Sequence, residues 1–464
     1  MVLKFFDTAK HALVDFHPLN PPVVTMYNCG PTVYNYIHVG NLRSYVFADI
    51  LRRTLEWNGY TVKQIVNITD VGHLVDDGDA GEDKMTQALR REGKPLTTDA
   101  MREVGEYYTS QFKTDLAALR ILPATAYPKA SDHIAEDIAL VATLGEKGFT
   151  YKTSDGIYFD TEKFPRYAEF ARLDIKGMQA GVRIDVGEKK HPTDFAIWKF
   201  NETLGYDAPF GKGFPGWHIE CSAMAMRYLG ETIDIHTGGV DHIPVHHTNE
   251  IAQSECATGK PYARFWMHNA HILVDGEKMS KSLGNTYRLI DIHERGIPPL
   301  AYRYWLLTAH YRTQANFTWE ALAGAQSAYN RLTNFVFTLP NTESDAPIES
   351  YISEFTEEIN DDLNTANAIA LVWKLMKDAS ITDADKYATL MKMDKVLGLG
   401  LALIHSHMSE MRDAVPAGVN SLLTLRQAAR SEKNFAESDR LRDTIKKLGY
   451  DVKDTPDGQM LEKI

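Results

Sequence analysis

The stretch from Pro21 to Asp70 constrains the fold most. "PPVVTMYNCG" (21–30) reads as a buried strand running into a loop. "GNLRSYVFADILRRTLEWNGY" (40–60) then repeats apolar residues at Leu42, Val46, Ile50, Leu51 and Leu55, which is helical spacing, with the helix expected to start near Asn41. "TVKQIVNITD" (61–70) is β-branched and short, a second strand. Strand, helix and strand in that order make a βαβ unit and predict a parallel sheet. Ligands of such sheets sit at the carboxyl ends of the strands, where Cys29 and Thr69-Asp70 fall.

A chain of 464 residues exceeds one ordinary core, so roughly two to four domains are expected. The pattern divides it into an α/β half (1–122), an insertion of helical patches and Gly/Lys-rich turns (123–212), and a second α/β half (213–286). Further helices (287–330), a helical bundle (331–415) and a small C-terminal module (416–464) complete it, with no strand expected between Tyr287 and "YDVKD". No apolar run approaches the roughly 18 residues of a membrane helix. The opening residues lack a basic-then-apolar signal pattern, so a cytoplasmic protein is expected. Three cysteines far apart argue for reduced thiols rather than a disulfide framework. A net charge of −12 disfavours DNA as a partner but leaves room for RNA on a local basic face. The acidic run at 76–83 fails the EF-hand spacing and reads as a solvated loop.

Two stretches carry chemistry. His38-Val39-Gly40-Asn41 lies where the first helix begins. It suits either a phosphate site, with Gly40 allowing close approach and His38 donating, or a plain helix cap at Asn41. "DGEKMSKSLGN" (275–285) places Lys278 and Lys281 in a Gly-flanked loop after a strand, suited to stabilising charge on a pyrophosphate leaving group. Cys29, Cys221, His246 and Glu250 contain a Zn²⁺-type donor set, with the last two spaced i, i+4 on a helix. From the residues alone, buried thiols beside a helix-surface His/Glu pair are the better explanation.

The two motifs, in this order on an α/β pattern, resemble those of the class I aminoacyl-tRNA synthetases. Asn41 stands where that family's first motif has histidine. "YNCGPTVYNYIHVGN", "GWHIECSAM", "DIHTGGVDHIPVHHTNEIAQSE", "WMHNAHILVDGEKMSKSLGN" and "DDLNTANAIAL" are similar to stretches of the cysteinyl-tRNA synthetase family within it. The resemblance implies a Rossmann-like fold followed by helices and an anticodon-type module. It also implies one Zn²⁺ held by Cys29, Cys221, His246 and Glu250 and ligating the substrate thiol. It further implies a cysteine pocket including Gly30, Thr69, Trp217, His236 and Asp241, and ATP with Mg²⁺ bound at His38, Gly40, Asn41 and Lys281. His38, Asn41, Lys278 and Lys281 would be the catalytic set, and tRNA(Cys) and L-cysteine the partners of a monomeric enzyme. Two other readings are a ligase joining cysteine to an amino sugar and an inactive RNA-binding descendant. Cys256 is expected to be a buried structural thiol. The terminal "DTPDGQMLEKI" lacks the tryptophan often seen in the family, while basic residues from Arg426 onward could track phosphates.

Overall fold

The computed structural model describes residues 2–71, 84–173, 188–280, 283–340, 346–406, 417–455 and 458–463. Its centre is a four-stranded parallel sheet of β1 (Val23–Asn28), β2 (Thr61–Val66), β3 (Ile233–Gly239) and β4 (Ala263–Asn269). The spatial order is β4-β3-β1-β2. Burial explains the sequence pattern: β3 is buried at every residue, as expected of a strand covered on both faces. Helix α1 (Val39–Trp57) returns the chain from β1 to β2 and buries Leu42, Val46, Ile50, Leu51 and Leu55 against the sheet. The strand order reverses between β1 and β3, and the crevice beyond their carboxyl ends is where a ligand fits such a sheet.

Helix α2 (Trp217–Leu229) enters β3, and α3 (Thr248–Thr258) leads to β4. Beyond β4, β5 (Ile272–Val274) and β6 (Glu277–Lys278) form a tight hairpin. Its two turn residues, Asp275 and Gly276, have φ of 51° and 83°, the paired positive values of a type I′ turn. The turn fixes Lys278 opposite Leu273.

Two sequence expectations are corrected. The segment between Tyr287 and "YDVKD" does contain a strand, β7 (Ala315–Phe317), which pairs in parallel with β5. Three residues are too short to show a period against the helical pattern around them. The insertion builds an antiparallel sheet from Thr150–Lys152, Gly156–Phe159 and Phe195–Phe200, joined by Gly213–Pro215 just beyond it, with the α-helix Ile134–Glu146 before the sheet. Its short strands with polar turns mimic isolated helical turns in sequence. The expected start of α1 near Asn41 holds, with the helix beginning at Val39.

Helices Pro299–Leu307, Trp319–Thr338, Glu349–Asn360, Thr365–Lys377 and Asp383–Leu397 pack onto α1 and each other. Arg303 ties them to the sheet domain. It is fully buried, pairs with Asp49 of α1 at 2.5 Å and donates to the carbonyls of Leu119 and Leu397. The last module, helices Ala417–Ser431 and Phe435–Lys447 with the hairpin Tyr450–Thr455/Gly458–Lys463, has its own small core of Val419, Ile445, Tyr450 and Val452. Arg426 is not available to track phosphate: it is buried and grips Asp454 with two 2.8 Å bonds. Among the described residues no helix is long and apolar enough to cross a membrane.

Candidate functional site

A cavity of about 430 Å³ opens at the β1/β3 switch point. Its lining includes Cys29, Trp217, Cys221 and His246, together with His38, Gly40, Asn41, Lys278 and Met279. Each reaches the cavity for a local reason. Cys29 follows the last residue of β1, and its amide donates to Thr237 O of β3. Cys221 lies one turn into α2. His246 lies in a π-helical turn (Ile243–His247) just before α3, and that wider turn carries two adjacent imidazoles, His246 and His247, into the interior.

Ligand atoms of Cys29, Cys221, His246 and Glu250 all lie within 4.8 Å of one another. Glu250 Oε1 and His246 Nε2 lie 2.9 Å apart, both side chains buried. Two thiols, an imidazole and a carboxylate gathered this closely away from water fit a shared cation. Cys29, His236, His247 and Glu250 form a second quartet of similar spacing. The first is the better donor set: it supplies two sulfurs, and three of its members line the cavity, whereas His236 and His247 do not. Those two imidazoles have other work, with His236 Nε2 on Glu250 Oε2 at 2.8 Å and His247 Nδ1 on His268 Nε2 at 2.7 Å. His218 Nδ1 is 2.9 Å from His246 Nδ1 and orients the ring so that Nε2 faces the cluster.

The electrostatics match a cation site. Burial would raise Glu250, but His236 and His246 hold it well below the usual carboxylate range. Burial lowers His246, yet Glu250 and Cys221 outweigh it and lift the imidazole to about 10. A hydrogen bond with Cys29 draws Cys221 down to about 6 against the effect of burial, while burial and Cys221 push Cys29 up. Cys256 behaves differently: it packs in the insertion core, outside the cluster, and burial pushes its thiol up to about 12.

His38 is the N-cap of α1. Its Nδ1 accepts from Asn41 N, and Asn41 Oδ1 accepts from His38 N, both at 3.2 Å. Of the two alternatives the sequence left open, the plain cap is thus a capping box placed at His38 and not at Asn41. It also fixes the tautomer: with Nδ1 accepting, the ring hydrogen sits on Nε2. Gly40 is closely covered, since a Cβ there would lie 3.3 Å from Met279 Sδ, so the helix start and the Lys278 loop are in contact. Asn285 braces that loop, accepting from Ser280 N at 2.7 Å and donating to Lys278 O at 3.2 Å. Lys281 and the acidic run 76–83 lie outside the described residues. Replacing Asn41 with Ala removes one arm of the box and is expected to lower stability by about 0.5–1 kcal/mol, read from urea denaturation.

Other expected pocket residues divide. Trp217 stacks on His246 (centroids 4.3 Å apart, 28° between planes), and Asp241 lines the cavity. Gly30 meets Asn67, whose Oδ1 accepts its amide at 2.7 Å. Thr69 and His236 are buried behind the wall: Thr69 accepts from Asn67 Nδ2, and His236 stacks on Trp266. Asn67, His218, His242 and His271 escaped the sequence reading. Only the density of histidine near His246 could have signalled them.

Comparison with known proteins agrees with this arrangement. The model of the class I (C) tRNA synthetase catalytic domain matches residues 15–327, the DALR domain 354–402, and the cysteinyl-tRNA ligase anticodon-binding domain 412–460. The chain is 47% identical to cysteine–tRNA ligase 1 of Burkholderia lata, over 99% of this chain and 97% of that one. The chain belongs to the cysteinyl-tRNA synthetase family. Another cysteinyl-tRNA synthetase relative, the cysteine–tRNA ligase of Treponema denticola, is 40% identical over 98% of both chains. Among solved structures, methionyl-tRNA synthetase of Mycobacterium tuberculosis in complex with methionyl-adenylate superimposes with a TM-score of 0.58 at 16% identity. It covers 82% of this chain and 90% of its own and shares the class I synthetase fold.

Proposed function

We propose that this chain is an ATP-dependent cysteine–tRNA ligase. It forms cysteinyl-adenylate from L-cysteine and MgATP and transfers the cysteinyl group to tRNA(Cys). The observation that carries the reading is one cavity lined both by Cys29, Cys221 and His246 of the Cys₂HisGlu cluster and by His38 and Lys278. In this reading an amino acid held at the cluster presents its carboxylate toward an ATP phosphate held at His38 and Lys278. Zn²⁺ suits the cluster's two sulfurs, one imidazole and one carboxylate, and would supply a borderline-soft acceptor for the substrate sulfur, which serine cannot match.

The side chains then have defined work. Trp217 and Asp241 border the amino-acid end; Gly30 lets the chain pass closely there, with Thr69 and His236 backing it. His38 Nε2–H and the N-terminus of α1 face the phosphates, Gly40 gives them room, and Asn41 holds His38. Lys278 and Lys281 stabilise charge on the departing pyrophosphate. No side chain acts as a nucleophile: the substrate carboxylate attacks the α-phosphorus, the oxygen bond to pyrophosphate breaks, and the terminal adenosine hydroxyl of tRNA later displaces AMP.

In this reading residues 1–122 and 213–286 are the two catalytic halves. The insertion 123–212 lies between them, and the stem-contact segment 287–330, bundle 331–415 and module 416–464 serve the tRNA. The enzyme is a cytoplasmic monomer. ATP–pyrophosphate exchange that depends on L-cysteine tests the first half-reaction, and tRNA charging the second. Because the last module has its own core, deleting residues 417–464 is expected to leave exchange within about twofold while sharply reducing charging. Equal loss of both activities would mean that the module serves folding.

A further inference from the structure

Arg43 lies on α1 two residues past Asn41, is 4% exposed, and does not line the active cavity. Its guanidinium donates to four backbone carbonyls: Nη1 to His271 O at 2.9 Å, and Nη2 to His310 O, Tyr311 O and Thr313 O at 3.3, 3.1 and 2.5 Å. Among the described residues no carboxylate pairs with it. A buried cation held by neutral dipoles alone is costly, and an apolar side chain of similar volume would fill the space. Its geometry is therefore the informative feature.

His271 immediately precedes β5, whose hairpin ends at Lys278. Thr313 leads into β7, the parallel partner of β5. One planar fork thus holds the entry of both strands against the helix that carries His38 and Asn41. The far side of the 310–313 segment is gripped by Asp362, which accepts from Tyr311 Oη at 2.6 Å and Arg312 Nε at 2.7 Å. The segment cannot drift to compensate for a lost Arg43.

We propose that Arg43 is a positioning residue for adenylate formation, setting the distance between the Lys278 loop and the His38 end of α1. The proposal rests on the ligase reading above. It predicts a separation of effects. Cys29, Cys221 and His246 hang from β1, α2 and the turn before α3, none of which Arg43 touches.

The decisive variant is Arg43→Lys, which keeps the charge but replaces a five-donor fork with a point donor that cannot span these acceptors. In cysteine-dependent exchange with the full-length protein, its kcat should fall by about 10–100-fold, the scale of roughly 1 Å of misplacement. KM for cysteine and bound metal per chain should stay within about twofold. Arg43→Ala should show the same split; if it fails to fold, the lysine variant still decides. Wild-type turnover by Arg43→Lys would overturn the proposal. So would a parallel loss of kcat, cysteine affinity and metal, which would make Arg43 merely structural. Failure of the ligase reading itself would be visible beforehand, as wild-type protein without cysteine-dependent exchange.

Discussion

Cys29→Ser is expected to lower bound metal from about one ion per chain to a small fraction and to reduce cysteine-dependent exchange by more than about 10²-fold. A hard, neutral hydroxyl replaces a soft thiolate in a set that has only two sulfurs. Even groups that merely orient metal ligands contribute about 10–100-fold, so loss of a ligand should exceed that range. ATP binding should persist, because His38 and Lys278 line the cavity without belonging to the ligand cluster. Cys256→Ser is the control: its thiol packs among apolar side chains of the insertion and should leave metal content unchanged. Metal analysis beside exchange kinetics checks both. Dependence of the metal on Cys256, or full metal in Cys29→Ser, would remove Cys29 from the site.

Gly30→Ala should be comparably damaging for a purely steric reason. A Cβ at Gly30 would lie 1.5 Å from Asn67 O and 2.6 Å from its carbonyl carbon. Both are backbone atoms, so no side chain can swing aside. Relief requires the Cys29–Gly30–Pro31 segment or the Asn67 strand end to move by more than about 1 Å. Overpacking typically costs about 1–3 kcal/mol, with the upper end expected where the obstacle is backbone, and the displaced Cys29 should slow exchange by about 10²-fold. Gly324→Ala is the comparison, a helical glycine with nothing within 4 Å of the added carbon. It should be neutral or slightly stabilising, by about 0.4–1 kcal/mol. Thermal denaturation and exchange of the two variants give the test, and a fully active Gly30→Ala would refute the steric account.

What the sequence revealed depended on periodicity and residue chemistry. β1, α1 and β2 were legible because burial of one continuous face imposes a pattern that long elements repeat. Cys29, Cys221 and His246 were legible as a donor set only in chemistry, since three distant segments share no spacing rule. The switch point between β1 and β3 brings them together, and no local pattern encodes it. Strand β7 escaped because three residues carry no period, and the insertion sheet because its strands are hardly longer.

The role of Asn41 was legible only in part. The sequence showed a departure from the family histidine, whereas the structure shows that its carboxamide oxygen accepts from His38 N and completes a cap, while its backbone N–H donates to His38 Nδ1. Arg426 illustrates the converse. A basic residue in a basic run looked like a phosphate contact, yet its guanidinium is buried on Asp454 within the module's fold.

The central claim is that Cys29, Cys221, His246 and Glu250 hold one ion that recognises the thiol of the substrate. X-ray absorption at the zinc edge of the purified full-length protein tests it directly. The account predicts two sulfur and two nitrogen or oxygen ligands before substrate, the donors this cluster offers. Addition of L-cysteine should raise the sulfur count to three, and L-serine should leave it at two. A single sulfur ligand, or a sulfur count that does not change with L-cysteine, would contradict the account.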